Sequence, residues 1–113
     1  MIDDYIECLL WSSYHEEDKL EGEHSPEFTK QCEDDWSAFS QRADAILERY
    51  EIDVNCEQVG HDFALTRNRH GAGFWDREEM YGEECSKLLT LLALRFGEIT
   101  PYTGDDGLIY IYN

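Results

Sequence analysis

A long amphipathic helix is the feature of this sequence that most constrains its fold. Ser25 followed by Pro26 and Glu27 is a typical helix start, because serine caps the first free amides and proline tolerates the first helical position. Beyond it, apolar residues recur every three or four positions: Phe28, Cys32, Trp36, Phe39, Ala43, Ile46, Leu47 and Tyr50. This spacing predicts one continuous helix from Pro26 to Tyr50 with a buried stripe.

The length of the chain allows one domain. Its 113 residues suffice for a single hydrophobic core, and its 42% hydrophobic content distinguishes it from acidic disordered tails. We predict a single domain over residues 1–113, with an acidic helical half (1–57) and a sheet-and-helix half (58–113).

Negative charge is concentrated in the first half. Residues 1–57 contain 17 acidic and four basic side chains, and residues 58–113 contain nine and five, which gives the net charge of −17. Such a field repels nucleic acid and anionic membranes and attracts basic proteins. We therefore expect a protein-protein interaction with a basic, nucleic-acid-binding protein, and no direct contact with nucleic acid or membrane.

The acidic residues suggest a mimic of the DNA backbone. DNA carries one charge per about 1.7 Å of duplex axis, so a mimic has to display carboxylates along a rigid element. The long helix and the segment before it provide the predicted partner-binding face: Glu16, Glu17, Asp18, Glu21, Glu23, Glu27, Asp34, Asp35 and Glu48. The alternative is an ordinary solvated surface that only keeps the protein soluble.

Two further helices are predicted. Apolar residues at helical spacing from Asp3 to about Tyr14 indicate a first helix, and a charged loop follows it. The leucine-rich run between Glu84 and Phe96, with Gly97 after it, indicates a buried third helix. Trp11 and Trp36 are expected in the core.

Two hairpins are predicted in the second half. Alternation through Phe63 and Leu65, turn residues at 68–71 and a return through Phe74 and Trp75 indicate the first. Residues 101–103 and 108–112, on either side of Gly-Asp-Asp-Gly, indicate the second. We predict an α+β fold with a small antiparallel sheet of two hairpins packed with three helices. Because the last strand is apolar on both faces, helices or a second subunit must cover it. A structural role as a homo-oligomer, such as a homodimer, is therefore an alternative function.

Residues 60–77 combine three arginines with polar and aromatic residues. The polar cluster comprises His61, Asp62, Arg67, Asn68, His70, Asp76 and Arg77. It is typical of a ligand-binding or acid-base cleft, and Arg67 or Arg77 would suit an anion. The favoured interpretation is a tight structural hairpin, because no spacing here matches a nucleophile or metal motif. No catalytic residue, metal ligand or cofactor is assigned.

The cysteines and the amino terminus bear on the compartment. Cys8, Cys32, Cys56 and Cys85 form no CxxC pair, which disfavours zinc, and we expect four reduced, mostly buried thiols. A disulfide pair is the alternative. The start MIDDYIECLL has no basic region or long apolar run, so we expect a cytoplasmic protein without a signal peptide.

Three segments together resemble a family of small acidic proteins encoded by bacteriophages and bacterial mobile elements. They are GHDFALTRNRHGAGFWDR at 60–77, YTGDDGLIYIYN at 102–113 and LLWSSYHEED at 9–18. The family has no established activity, so the resemblance implies a bacterial host cell as the setting and supplies no catalytic residue. Combined with the charge, it suggests an accessory protein that inhibits a host-defence or nucleic-acid-processing protein.

Arg69 is a departure from that family pattern, which has glycine between TRN and HG. Asn-Gly favours a two-residue hairpin turn, and arginine at positive φ is disfavoured by roughly 1 kcal/mol. We therefore expect either another kind of turn here or a specific use for Arg69.

Overall fold

A computed structural model describes residues 2–12, 22–69 and 72–112, without the side chain of Tyr112. These residues form five α-helices, a 3-10 helix and a three-stranded mixed sheet. The α-helices are α1 (Ile2–Ser12), α2 (Pro26–Arg49), α3 (Cys56–Arg67), α4 (Glu78–Tyr81) and α5 (Glu83–Leu94), and the 3-10 helix is Phe74–Asp76. The strands are β1 (Glu23–His24), β2 (Thr100–Thr103) and β3 (Leu108–Tyr112). The predicted α+β class is confirmed, whereas the arrangement of two hairpins and three helices is not.

Helix α2 matches its prediction to within one residue. The Ser25 hydroxyl oxygen accepts a hydrogen bond from the Phe28 amide at 3.1 Å, which caps the first turn. The buried residues of this helix lie on one stripe: Phe28, Cys32, Phe39, Ala43 and Leu47. Capping and burial together hold α2 as a rigid element of 24 residues.

The first predicted hairpin is wrong, because its first strand is helix α3. The side chain of Asn55 caps this helix by accepting the Gln58 amide at 2.8 Å. Helix α3 is buried on most sides, and polar residues interrupt its apolar spacing: Asp62, Thr66 and Arg67 are all buried. A helix without a single apolar stripe lacks the 3.6-residue signal, so its local alternation resembled a strand. The predicted returning strand is the 3-10 helix.

Arg69 occupies the end of α3. Its φ is 55°, and its amide donates a hydrogen bond to the Thr66 carbonyl at 3.0 Å. A residue with left-handed backbone angles follows the last turn of many helices. The turn at Arg69 is therefore a helix C-terminus and not the two-residue turn of a hairpin. The Arg69 guanidinium also lies 3.5 Å from the Glu98 carboxylate in an exposed ion pair. His70 and Gly71 lie outside the described residues.

The second predicted hairpin is confirmed. Strands β2 and β3 pair antiparallel, with Thr100 opposite Tyr112 and Thr103 opposite Ile109. The sequence did not reveal β1, which pairs in parallel with β3 and is only two residues long. Ile109 is buried in the core, and on the hairpin Tyr110 stacks on Tyr102 at 5.9 Å. A second subunit on this strand stays a prediction.

Aromatic rings join the helices in the core. Phe39 of α2 stacks on Phe63 of α3 with ring centroids 3.9 Å apart, and Tyr5 of α1 lies on the same Phe63 ring at 4.7 Å. Helices α1 and α3 meet at Gly60, where an added Cβ would lie 3.1 Å from the Tyr5 amide nitrogen. This crossing therefore depends on glycine. No helix in the described ranges is both long and apolar enough to cross a membrane.

The buried thiols predict that stability falls in alkali. All four cysteines are free; Cys56 is exposed and the other three are buried. Burial raises the pKa of Cys8 to about 11 and that of Cys32 to about 12, from the ordinary 9.0. Above pH 9 the unfolded chain thus binds fewer protons than the native state, and the stabilisation present below that pH is lost as pH rises.

We expect the free energy of unfolding, measured by urea titration, to fall between pH 9 and 11 by up to about 1.4 kcal/mol per pH unit for each thiol. Cys32→Ala should reduce this slope relative to the wild type. Identical slopes in the wild type and in Cys32→Ala would contradict this assignment.

Candidate functional site

The exposed side of α2 carries acidic residues at regular intervals. Glu27, Asp34 and Glu48 are exposed, and they fall at multiples of seven residues, with Gln41 at the intervening position. Seven residues are nearly two helical turns, an advance of about 10.5 Å, so these side chains share one side of the helix. We call Glu27, Asp34 and Glu48 the α2 acidic face.

The other predicted acids differ in availability. Asp35 is only 13% exposed, because the Arg67 guanidinium binds its carboxylate at 2.7 Å and Gln31 donates to it at 2.9 Å. It is therefore part of the internal structure. Glu23 is exposed on β1. Four predicted residues lie outside the described ranges: Glu16, Glu17, Asp18 and Glu21.

Asp34 has a local basic neighbour. The Lys30 ammonium lies 3.2 Å from its carboxylate, one helical turn away, and the two side chains are 77% and 63% exposed. Exposed pairs of this kind contribute little and exchange readily with other partners. Asp34 thus remains accessible to a competing basic group.

Acidic residues of α1 and α2 also border a groove between these two helices. A cavity of about 400 Å³ between the two helices is bordered by Asp3, Glu7 and Glu33. Its apolar walls come from Ile2, Ile6 and Leu10. A lysine or arginine suits such a groove, because its aliphatic stem can contact the walls while its charge meets the carboxylates.

Arg67, the centre of the predicted polar cluster, is buried and fully engaged. Its side chain is 1% exposed and donates to Asp35 at 2.7 Å and to the Tyr5 hydroxyl at 2.8 Å. It also donates to the carbonyls of Phe96 and Gly97 at 3.0 and 2.9 Å. Arg67 therefore joins α1, α2, α3 and the segment after α5, and does not serve as an open fork for an anion.

Asp62 forms a second buried network. Its fully buried carboxylate accepts from Arg77 Nε and from the Tyr81 hydroxyl, both at 2.7 Å, and from Gln58 at 3.0 Å. The hydrogen bond to Asp62 raises the pKa of Arg77. Burial, and then the hydrogen bond to Asp62, raise the pKa of Tyr81. These groups hold α3 against the 74–81 segment.

The remaining polar residues of the cluster also have structural contacts. Asn68 accepts the Ile99 amide and Asp76 accepts the Gly73 amide, each at 2.9 Å. A Cβ at Gly73 would lie 2.3 Å from the Thr66 hydroxyl oxygen, so this segment packs closely on α3. The favoured interpretation, a tight structural hairpin, is therefore wrong in its geometry, although these polar side chains do make structural contacts.

His61 faces a different environment. With Arg77, Gln58 and Cys8 it borders a cavity of about 820 Å³ between α1, α3 and the 72–77 segment. Trp11 stands at this cavity and is 72% exposed, which corrects the expectation that it lies in the core. Trp36, in contrast, is half-buried and packs against the core.

His61 also belongs to a group of potential metal ligands. Ligand atoms of Asp4, Glu57 and His61 all lie within 4.8 Å of one another. Sequence reasoning missed this group because Asp4 and Glu57 are more than fifty residues apart. The available signal was the four-residue spacing of Glu57 and His61, which places both side chains on one side of a helix.

Comparisons of the chain with protein-family models, with curated proteins and with solved structures gave no match. The resemblance to phage and mobile-element proteins therefore stays a prediction.

Proposed function

We propose that this protein binds a basic surface of another protein through the α2 acidic face. The observation that carries the proposal is the exposure of Glu27, Asp34 and Glu48 at seven-residue intervals along a capped, core-packed helix. Because the core fixes one side of α2, the spacing of the carboxylates on the other side is fixed as well. Ordered charges of this kind favour recognition of a matching pattern of lysines and arginines.

The spacing supports a limited form of DNA mimicry. Seven helical residues advance by about 10.5 Å, which is about three phosphates along one DNA strand at about 3.4 Å each. Gln41 interrupts the series and Lys30 partly neutralises Asp34. The face therefore replaces a few phosphate contacts, and the α1–α2 groove with Asp3, Glu7 and Glu33 extends it.

The class of partner follows from this chemistry. A surface that binds DNA phosphates also binds ordered carboxylates, so we propose a nucleic-acid-binding protein as the partner. The narrower proposal, an accessory protein of a phage or mobile element that inhibits host defence, rests on the resemblance of the three sequence segments.

A capture experiment with matched charge variants tests the proposal. The full chain is immobilised and exposed to bacterial lysate at low salt, and bound proteins are eluted with duplex DNA or high salt. We expect the wild type to capture nucleic-acid-binding proteins. The triple variant Glu27→Gln/Asp34→Asn/Glu48→Gln should fail to capture the same proteins. The control Asp53→Asn/Glu79→Gln/Glu84→Gln removes three exposed charges elsewhere and should capture normally. Equal capture by both variants would contradict the proposal.

A small-ligand site is the second candidate function, and the cavity beside His61 favours it. The cavity measures about 820 Å³ and has apolar walls with Arg77, His61 and Glu7 at its edge, a size and composition typical of ligand pockets. Phosphate compounds that raise the melting temperature of the wild type, but not of His61→Gln, would support it. Arg67 is too buried to provide the anion contact.

A further inference from the structure

We propose that Asp4, Glu57 and His61 form a binding site for one divalent transition-metal ion. Two carboxylates and one imidazole converge here, with all three ligand atoms within 4.8 Å of one another. Among the described residues this is the one group in which three such side chains meet. The inference is independent of the α2 acidic face, because none of the three residues lies on α2.

The crossing of two helices builds the site. Glu57 and His61 are four residues apart on α3, so their side chains project from the same side of that helix. Asp4 reaches them from α1 because the two helices approach closely at Gly60, where a Cβ would lie 3.1 Å from the Tyr5 amide nitrogen. The Cys8 thiol also donates to the His61 carbonyl at 3.6 Å, which ties the same turns together.

The donor atoms select the class of ion. Zinc and its neighbours bind imidazole nitrogen and carboxylate oxygen at about 2.0–2.2 Å, whereas calcium and magnesium favour oxygen donors alone. Bonds of that length require ligand atoms about 3–4 Å apart, so binding an ion requires the three side chains to move slightly closer together. Glu57 is the exposed one of the three.

The neighbouring cavity favours a metal site with free coordination positions over a structural metal site in which protein ligands fill every position. His61 belongs both to the ligand group and to the wall of the 820 Å³ cavity, beside Gln58 and Arg77. Three protein ligands leave further coordination positions for water or for an anion from that cavity. Arg77, whose guanidinium is paired with Asp62, borders the same cavity.

Calorimetric titration of the full chain with Zn²⁺ and with Mg²⁺ tests the proposal. We expect one Zn²⁺ per chain, with Mg²⁺ bound far more weakly. The affinity for Zn²⁺ should fall on the order of tenfold or more in each of the variants Asp4→Asn, Glu57→Gln and His61→Gln. Matched variants outside the group, Asp53→Asn, Glu79→Gln and His24→Gln, should bind as the wild type does, and Cys56→Ser excludes a contribution from the exposed thiol.

A second readout locates the ion. In nuclear magnetic resonance spectra, one equivalent of paramagnetic Mn²⁺ should broaden the amide signals of Tyr5 and Gly60 before those of the α2 acidic face. Equal affinities for the group variants and their controls, or broadening spread over all acidic segments, would overturn the proposal. Glu57→Gln alters only an exposed side chain, so this variant remains informative even if His61→Gln perturbs the fold.

Discussion

Replacing Arg67 with alanine is expected to lower the free energy of unfolding by about 3–5 kcal/mol. The guanidinium is 1% exposed and donates to Asp35, to Tyr5 and to the carbonyls of Phe96 and Gly97. Its removal leaves a largely buried carboxylate without its cation and two carbonyls without their donors. The guanidinium also lies 5.4 and 5.7 Å from the centres of the Phe63 and Phe96 rings, and these contacts are lost as well.

Urea unfolding monitored by circular dichroism measures this effect. Arg42→Ala, at an exposed position of α2, is the matched control and should change stability by no more than about 0.5 kcal/mol. Arg67→Lys keeps the charge but loses the planar set of donors, so we expect an intermediate loss. A loss below about 1 kcal/mol for Arg67→Ala would show that the Arg67 network does not hold the helices together.

Asp62→Ala is expected to have the second-largest effect, a loss of about 3 kcal/mol or more. The carboxylate is fully buried, and its removal leaves Arg77, Tyr81 and Gln58 without their acceptor. Because Tyr81 is itself buried, its hydroxyl cannot turn to water for a replacement.

The same unfolding measurement applies to Asp62, with Asp53→Asn at an exposed position as its control. Asp62→Asn retains one acceptor oxygen and should lose less than Asp62→Ala. If Asp62→Ala were as stable as Asp53→Asn, the hydrogen bonds to Asp62 would contribute nothing to stability, which would contradict the structural role assigned to this carboxylate.

The parts of the fold that the sequence predicted are those specified by local signals. The Ser25 cap and the apolar stripe defined α2, and the Gly-Asp-Asp-Gly turn defined the β2–β3 hairpin. The sequence did not predict helix α3, because Asp62, Thr66 and Arg67 are buried by tertiary partners that no local pattern reveals. The sequence did not predict strand β1 either. A strand of two residues that pairs with a distant strand is too short to show alternating hydrophobicity.

The candidate sites also differ in whether local sequence signals or tertiary contacts specify them. Exposure of Glu27, Asp34 and Glu48 follows from helical periodicity and was predictable. The removal of Asp35 from that surface depends on Arg67, which is 32 residues away. The Asp4–Glu57–His61 group likewise depends on the crossing of α1 and α3 at Gly60, which only the packed structure shows.

If the α2 acidic face is the surface that binds a partner, its loss must weaken binding more than the loss of the same charge elsewhere. The affinity of a captured partner is therefore measured for wild type, for Glu27→Gln/Asp34→Asn/Glu48→Gln and for Asp53→Asn/Glu79→Gln/Glu84→Gln, at low salt and at high salt. Three exposed ion pairs contribute up to about 1 kcal/mol each, so the α2 variant should lose on the order of tenfold or more at low salt. The control should lose much less, and the difference should shrink at high salt. Equal losses in the two variants would contradict the claim, because only the total charge would then matter.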